Sequence, residues 1–322
     1  MNYNPIIILS GEPHSVFLEL YFKVKKQYNC KRPIILIVSK KLLIIHMKKL
    51  NFNFKINLIN PKIDSLNVIN NKKINVINVD FDSKKKFDKI TDNSNSYIEK
   101  GFKIALKLLK EKKCAGLING PISKKNFLKE RFFGITEYLA NKTNNKNKVA
   151  MLIYNKKLSV SPITTHLPLK NVHKNLSVQK IVTHVELINN FYKKKLNKIA
   201  SIAITGLNPH CESNYKSSEE ERFIHPAIRL LLKKRIKVSG PFAADTIFMK
   251  DHISKYDVIV GMYHDQVLTP IKTLFGFNAI NITIGLPFIR ISPDHGPNSE
   301  MVGKNLSNPK SLLEAIKFLD IQ

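Results

Sequence analysis

Tyr256-Asp-Val-Ile-Val-Gly-Met262, followed directly by Tyr263-His264-Asp265-Gln266, is the stretch on which the reading of the fold turns. The apolar run predicts a strand buried on both faces, the pattern of a parallel sheet covered by helices. It ends in four hydrogen-bonding side chains, with Lys272 shortly after. At the carboxyl ends of parallel strands side chains leave the packed layer and enter a crevice, so His264 and Asp265 are predicted to hold something there.

Working outward, apolar runs alternate with amphipathic segments, which predicts an α/β protein with a mostly parallel sheet and flanking helices. Strands are expected at 5–10, 33–39, 114–118, 149–154, 158–164, 199–205, 256–262 and 278–284, with weaker ones at 56–59 and 74–79. Helices are expected from Ser96, with Ile98, Phe102, Ala105, Leu106 and Leu109 on one stripe, from Ser177 as an N-cap, over 219–234 and over 309–319. Residues 40–96 are rich in Lys, Asn and Ile and give the weakest pattern. At 322 residues the chain suits two lobes. The first is expected over 1–130, completed by the C-terminal helix at about 303–322, and the second over 131–302.

Three histidines repeat the opening motif. His166 follows Pro162-Ile-Thr-Thr165, His210 follows Ala203-Ile-Thr-Gly-Leu-Asn-Pro209, and His264 follows the first run. One such residue reads as a structural hydrogen-bonder. Three at equivalent strand ends read as a nitrogen-rich site for Zn, Co or Ni, or a weaker one for Mn or Mg. Of the others, His14, His46, His173, His184, His225 and His252 are read as solvated or core side chains. His295, in Ser292-Pro-Asp-His-Gly-Pro297, sits on a glycine-bearing turn that can bring backbone to a ligand. Thr136, Lys272, Asn281 and Arg290 supply the donors of a phosphate cradle. Asp245 and Asp265 are the carboxylates placed for acid–base work or for binding an ammonium.

Composition narrows the classes. The net charge of +29 is spread over lysines that keep company with Asn and Ile throughout, and no nucleic-acid module accompanies it. It is read as compositional drift, with neither nucleic acid nor membrane as partner. No apolar run is long enough to span a bilayer, and MNYNPIIILSGEP lacks a signal peptide's basic region and cleavage site. Three cysteines without a CxxC fit a reducing cytoplasm. No two glycines are separated by one residue, so the Rossmann fingerprint is absent, as is the Walker lysine motif.

TTHLPLK, GLNPH, GPFAADTIF, YDVIVGMYHDQ, NITIGLPFIR and SPDHG, in this order, closely resemble the 4-hydroxythreonine-4-phosphate dehydrogenase family of pyridoxal phosphate biosynthesis. The resemblance implies a two-lobed fold like the isocitrate and isopropylmalate dehydrogenases, which bind NAD without a Rossmann fingerprint, and a homodimer with its active site at the interface. It implies NAD- or NADP-dependent oxidation of 4-phosphooxy-L-threonine to 2-amino-3-oxo-4-phosphooxybutanoate, which decarboxylates to 3-amino-2-oxopropyl phosphate. It puts one divalent metal (Zn, Co, Mn or Mg) on His166, His210 and His264, substrate contacts on Thr136, Lys272, Asn281 and Arg290, and the cofactor loop on Asp294, His295 and Gly296.

Departures lie at the front. The family's GDPAGIGPE is here Gly11-Glu-Pro-His-Ser-Val-Phe-Leu-Glu19, without the inner glycines, and its GHTE is Gly134-Ile135-Thr136-Glu137, without a substrate-contacting histidine. Two other readings stay open: a related dehydrogenase acting on a four-carbon sugar-acid phosphate such as 4-phosphoerythronate, and a non-catalytic basic binding protein.

Overall fold

Ile6–Leu9 (β1) is four aliphatic residues, all buried, and lies between two parallel neighbours, Ile34–Val38 (β2) and Gly116–Asn119 (β5). A strand sealed on both faces has no polar side to show, which is why these runs do not alternate. The computed structural model describes residues 3–60, 69–81, 90–129, 132, 134–146, 148–211, 217–276, 278–293 and 295–321. It divides into two compact units, Met1–Tyr138 with Phe288–Gln322, and Leu139–Pro287.

In the first unit the strand order is β3-β4-β2-β1-β5-β12, with β3 at Ile56–Leu58, β4 at Ile74–Asn78 and β12 at Arg290–Pro293, every neighbouring pair parallel. The helices are α1 (Phe17–Gln27), α2 (Lys40–Lys49), α3 (Ser94–Lys110) and α9 (Lys310–Ile321). On α3 the buried stripe is Ile98, Phe102, Ala105, Leu108 and Leu109, and Leu106 is only half-buried. The strand β12 was not anticipated, because Arg-Ile-Ser-Pro carries no apolar run. Its pairing with β5, Arg290↔Leu117 and Ile291↔Ile118, makes the return to the first unit begin at Phe288 rather than near 303.

In the second unit the order is β11-β6-β7-β10-β8-β9. Ala150–Tyr154 (β6) and Ser159–Thr164 (β7) form an antiparallel hairpin about residues 155–157, and Ile280–Ile284 (β11) is antiparallel to β6. Val258–Tyr263 (β10) lies parallel between β7 and Ile202–Thr205 (β8), and Val238–Phe242 (β9) closes the edge. The segment Val-Ser-Gly-Pro-Phe escapes a hydrophobicity search because it contains a proline, which an edge strand tolerates. The helices are α5 (Val178–Leu196), α6 (His225–Lys233), α7 (Lys250–Ile253) and α8 (His264–Phe275). Ser177 caps α5 as expected, its hydroxyl accepting from Lys180 N at 3.2 Å. The division between units falls within α4 (Ile135–Lys142).

Of the histidines read as solvated or core side chains, His184 and His46 lie in the core. His184 shares a 2.7 Å hydrogen bond with the Ser161 hydroxyl, and burial pushes its pKa down to about 4. His46 is likewise buried, with its pKa lowered to about 4 by burial and then by His14. Among the described residues no helix is long and apolar enough to cross a membrane.

Candidate active site

The chemistry-bearing residues of the second unit gather where β7, β10 and β8 end. These strands are neighbours and run parallel, so their carboxyl ends share one edge. β10 stops at Tyr263, and His264 is already the first residue of α8. The last three of the four polar residues of the opening stretch are therefore the first turn of a helix, with Tyr263 as its N-cap, and not a strand end left open. A helix turns successive side chains by about 100°, which separates their fates. His264 and Asp265 face outward, and Gln266 is buried.

His264 and His166 are brought together, with ring centroids 6.0 Å apart and planes inclined by 37°. His264 Nδ1 lies 2.7 Å from Asp265 Oδ1. A carboxylate on one ring nitrogen fixes the tautomer and leaves the other nitrogen as a ligand, the usual arrangement behind a metal-bound imidazole. Two imidazoles are ligands of the kind that a divalent cation of intermediate softness such as Zn or Co takes, though two alone do not complete a site.

His210 is not in that cluster. It sits on a short turn, Pro209–Cys211, with φ of +60°, exposed at the end of β8. Among the described residues no three His, Cys, Asp or Glu side chains converge on one metal position. Asp245 is exposed in the turn after β9, close enough to the Cys211 thiol to raise its pKa, though burial contributes more. It therefore stands beside the His210 turn, while Asp265 stands beside His264.

The turn carrying His210 is held from within by a residue that sequence reading passed over. Glu220 is fully buried, and its Oε1 accepts from Leu207 N at 2.8 Å and Asn208 N at 2.9 Å, while Oε2 accepts from Asn208 Nδ2 at 2.8 Å. Burial works against its charge, but these bonds outweigh it and hold its carboxyl below the ordinary range. Gly206 is required for the approach, since a Cβ there would meet Cys211 Sγ at 2.6 Å. Nothing in the periodicity marks Glu220; only its burial does.

The predicted phosphate donors fall two in each unit. In the second, Lys272 is exposed on the last turn of α8, and Asn281 is half-buried on β11 with its Oδ1 sealed from solvent and unpaired. In the first, Thr136 is the second residue of α4, and Arg290 on β12 is 3% exposed. Arg290 Nε donates to Asn119 Oδ1 at 2.6 Å, at the end of the adjacent strand β5. Burial lowers its pKa to about 10, and the nearby Glu137 carboxylate opposes that shift. The bond through Nε fixes the plane of this buried guanidinium.

Of the expected cofactor loop, Asp294 lies outside the described residues. His295 is half-buried and stacks on Phe17, centroids 6.2 Å apart at 27°, with Nδ1 3.0 Å from Gly296 O. A Cβ on Gly296 would make only an ordinary 3.5 Å contact with Asn298 Oδ1, so the fold itself does not demand glycine there. The front loop, despite its lost glycines, has a defined course. Glu12 N donates to Pro121 O and Val16 N to Pro297 O, while the Ser94 hydroxyl donates to Glu12 Oε1 at 2.7 Å. Its Phe17 is the residue against which His295 packs.

Comparison with known proteins places the chain in a family. The sequence model described as pyridoxal phosphate biosynthetic protein PdxA matches residues 29–319. The chain is 35% identical to a 4-hydroxythreonine-4-phosphate dehydrogenase of Sulfurihydrogenibium over 322 residues, covering 97% of this chain and 96% of that one. It is 34% identical over 227 residues to a protein of Oceanobacillus iheyensis provisionally named D-threonate 4-phosphate dehydrogenase, covering 66% of this chain and 65% of that one. A crystal structure of 4-hydroxythreonine-4-phosphate dehydrogenase from Klebsiella pneumoniae superposes with a TM-score of 0.85 at 27% identity, covering 98% of each chain. With the family model spanning most of its length and a relative matched nearly end to end, the chain belongs to the PdxA family of pyridoxal phosphate biosynthesis.

Proposed function

We propose that the protein oxidises 4-phosphooxy-L-threonine with NAD or NADP and releases carbon dioxide, giving 3-amino-2-oxopropyl phosphate. The observation that carries this reading is the pairing of His166 with His264 at adjacent parallel strand ends, with Asp265 orienting the second ring. These two imidazoles would hold a divalent cation, with His210, which stands apart on the neighbouring exposed turn, as the third ligand that the family resemblance implies. When bound, the cation would supply Lewis acidity toward the substrate's hydroxyl. The His295–Gly296 turn would hold a nicotinamide cofactor, which would supply the hydride acceptor. We take the active form to be a homodimer, as the family resemblance implies.

The protein's own groups do the rest. Arg290, Lys272, Asn281 and Thr136 bind the phosphate and so fix the carbon bearing the hydroxyl. Asp265 or Asp245 accepts the hydroxyl proton as hydride leaves the same carbon, and the product is a β-keto acid. Its carboxylate then departs as carbon dioxide, the bonding pair remains on the α-carbon as an enolate, and a proton delivered to that carbon completes the product. Asp265 and Asp245 also suit the substrate ammonium.

A second reading, a sugar-acid phosphate substrate with hydroxyl in place of ammonium, is favoured by the relative named for D-threonate 4-phosphate and by Ile135, where the family histidine is missing. The two are separated by kcat/KM measured side by side on both substrates. The amino substrate is expected to win by about 10-fold or more, the worth of one charge-assisted hydrogen bond. Preference for D-threonate 4-phosphate would transfer the assignment to the second reading.

A further inference from the structure

The backbone ladder between β8 and β10 ends before the strands do. Its register is Val258↔Ile202, Ile259↔Ala203 and Val260↔Ile204, and carried two residues further it would set Met262 opposite Gly206. In place of that rung there is a side chain. Gln266, 8% exposed, turns back from the first turn of α8 and inserts its amide between the two strands. Its Oε1 accepts from Met262 N at 2.7 Å and from the Thr205 hydroxyl at 3.0 Å, and its Nε2 donates to Gly206 O at 2.8 Å. The amide thus satisfies groups on both strands where direct pairing has stopped.

The backbone is cut to admit it. A Cβ on Gly261 would meet Val267 Cγ1 at 2.5 Å and Gln266 Oε1 at 3.0 Å. On its other flank β10 is tied to β7 by the Thr164 hydroxyl, which donates to Met262 O at 2.7 Å. The wedge therefore sets how far the ends of β8 and β10 stand apart. His264 lies two residues before Gln266, and His210 four residues after Gly206, on the turn that Glu220 grips through Leu207 and Asn208.

We infer that Gln266 is a positioning residue for the histidine site: its amide replaces a missing sheet rung and thereby fixes the turns that carry His264 and His210. The inference rests on the metal-site reading above. Partners one shell out from metal ligands typically change affinity by about 10–100-fold when removed.

The test is Co(II) titration of the purified full-length protein, read by chelator competition and by the visible d–d absorption. Gln266→Met fills the space without hydrogen bonds. It is expected to weaken Co(II) binding by about 10–100-fold and to alter the absorption band, which a change in stability alone would not do. Thr205→Val removes one donor and keeps the shape, so it decides the matter if Gln266→Met does not fold; a loss of several-fold with an altered band is expected. Wild-type affinity and spectrum in whichever variant folds overturn the inference. His264→Ala is titrated in parallel. If it loses Co(II) while the Gln266 and Thr205 variants bind normally, only the positioning role falls. If it too binds normally, the metal site falls and the inference with it.

Discussion

His264→Ala is expected to lower turnover by about 10³-fold or more, since Lewis-acid stabilisation is worth several kcal/mol and each 1.4 kcal/mol is a factor of ten. The protein should stay folded. The His264 side chain is 34% exposed, begins a helix rather than sitting inside one, and hydrogen-bonds to the Asp265 carboxylate. His166→Ala is expected to behave alike, because its ring is the one that faces His264. Thermal unfolding and circular dichroism provide the control, and activity within tenfold of wild type in a protein shown to be folded would remove the imidazole pair from the mechanism.

Arg290→Met is expected to lower kcat/KM by about 10²–10³-fold, within the 2–5 kcal/mol associated with breaking a buried, hydrogen-bonded charge pair. The reasoning is local to β12 and β5. The guanidinium is buried and anchored through Nε to Asn119, and a methionine of similar length keeps the bulk without the charge or the donors. Asn119 Oδ1 also loses its donor, so a modest drop in stability is expected alongside. A loss under fivefold would take Arg290 out of the phosphate cradle.

Much of the architecture was legible because strands buried on both faces announce themselves. Ile6–Leu9, Ile34–Val38 and Val258–Tyr263 are runs that only a covered parallel sheet can accommodate. Less was legible where tertiary context overrides local pattern. Val238–Phe242 and Arg290–Pro293 become strands through their neighbours, not through their composition. The helix α8 hid behind Pro270 and behind the polar tetrad, which looked like one chemical cluster. Only the helical turn shows that His264 and Asp265 face outward while Gln266 is spent inside the sheet. Spacing put His166, His210 and His264 at three strand ends, and the ends are indeed neighbours. It could not reveal that only two of the rings meet, because the left-handed turn at His210 depends on Glu220, a distant and locally unremarkable residue.

The most direct measurement is the stoichiometry of the reaction itself. Purified protein supplied with a divalent cation, NAD and 4-phosphooxy-L-threonine is followed for NADH by absorbance and for carbon dioxide by isotope release from the labelled carboxylate. The account predicts one carbon dioxide for each NADH, both abolished when the cation is stripped and both restored when it is returned. NADH without carbon dioxide, or neither product from folded, metal-supplied protein, would contradict it.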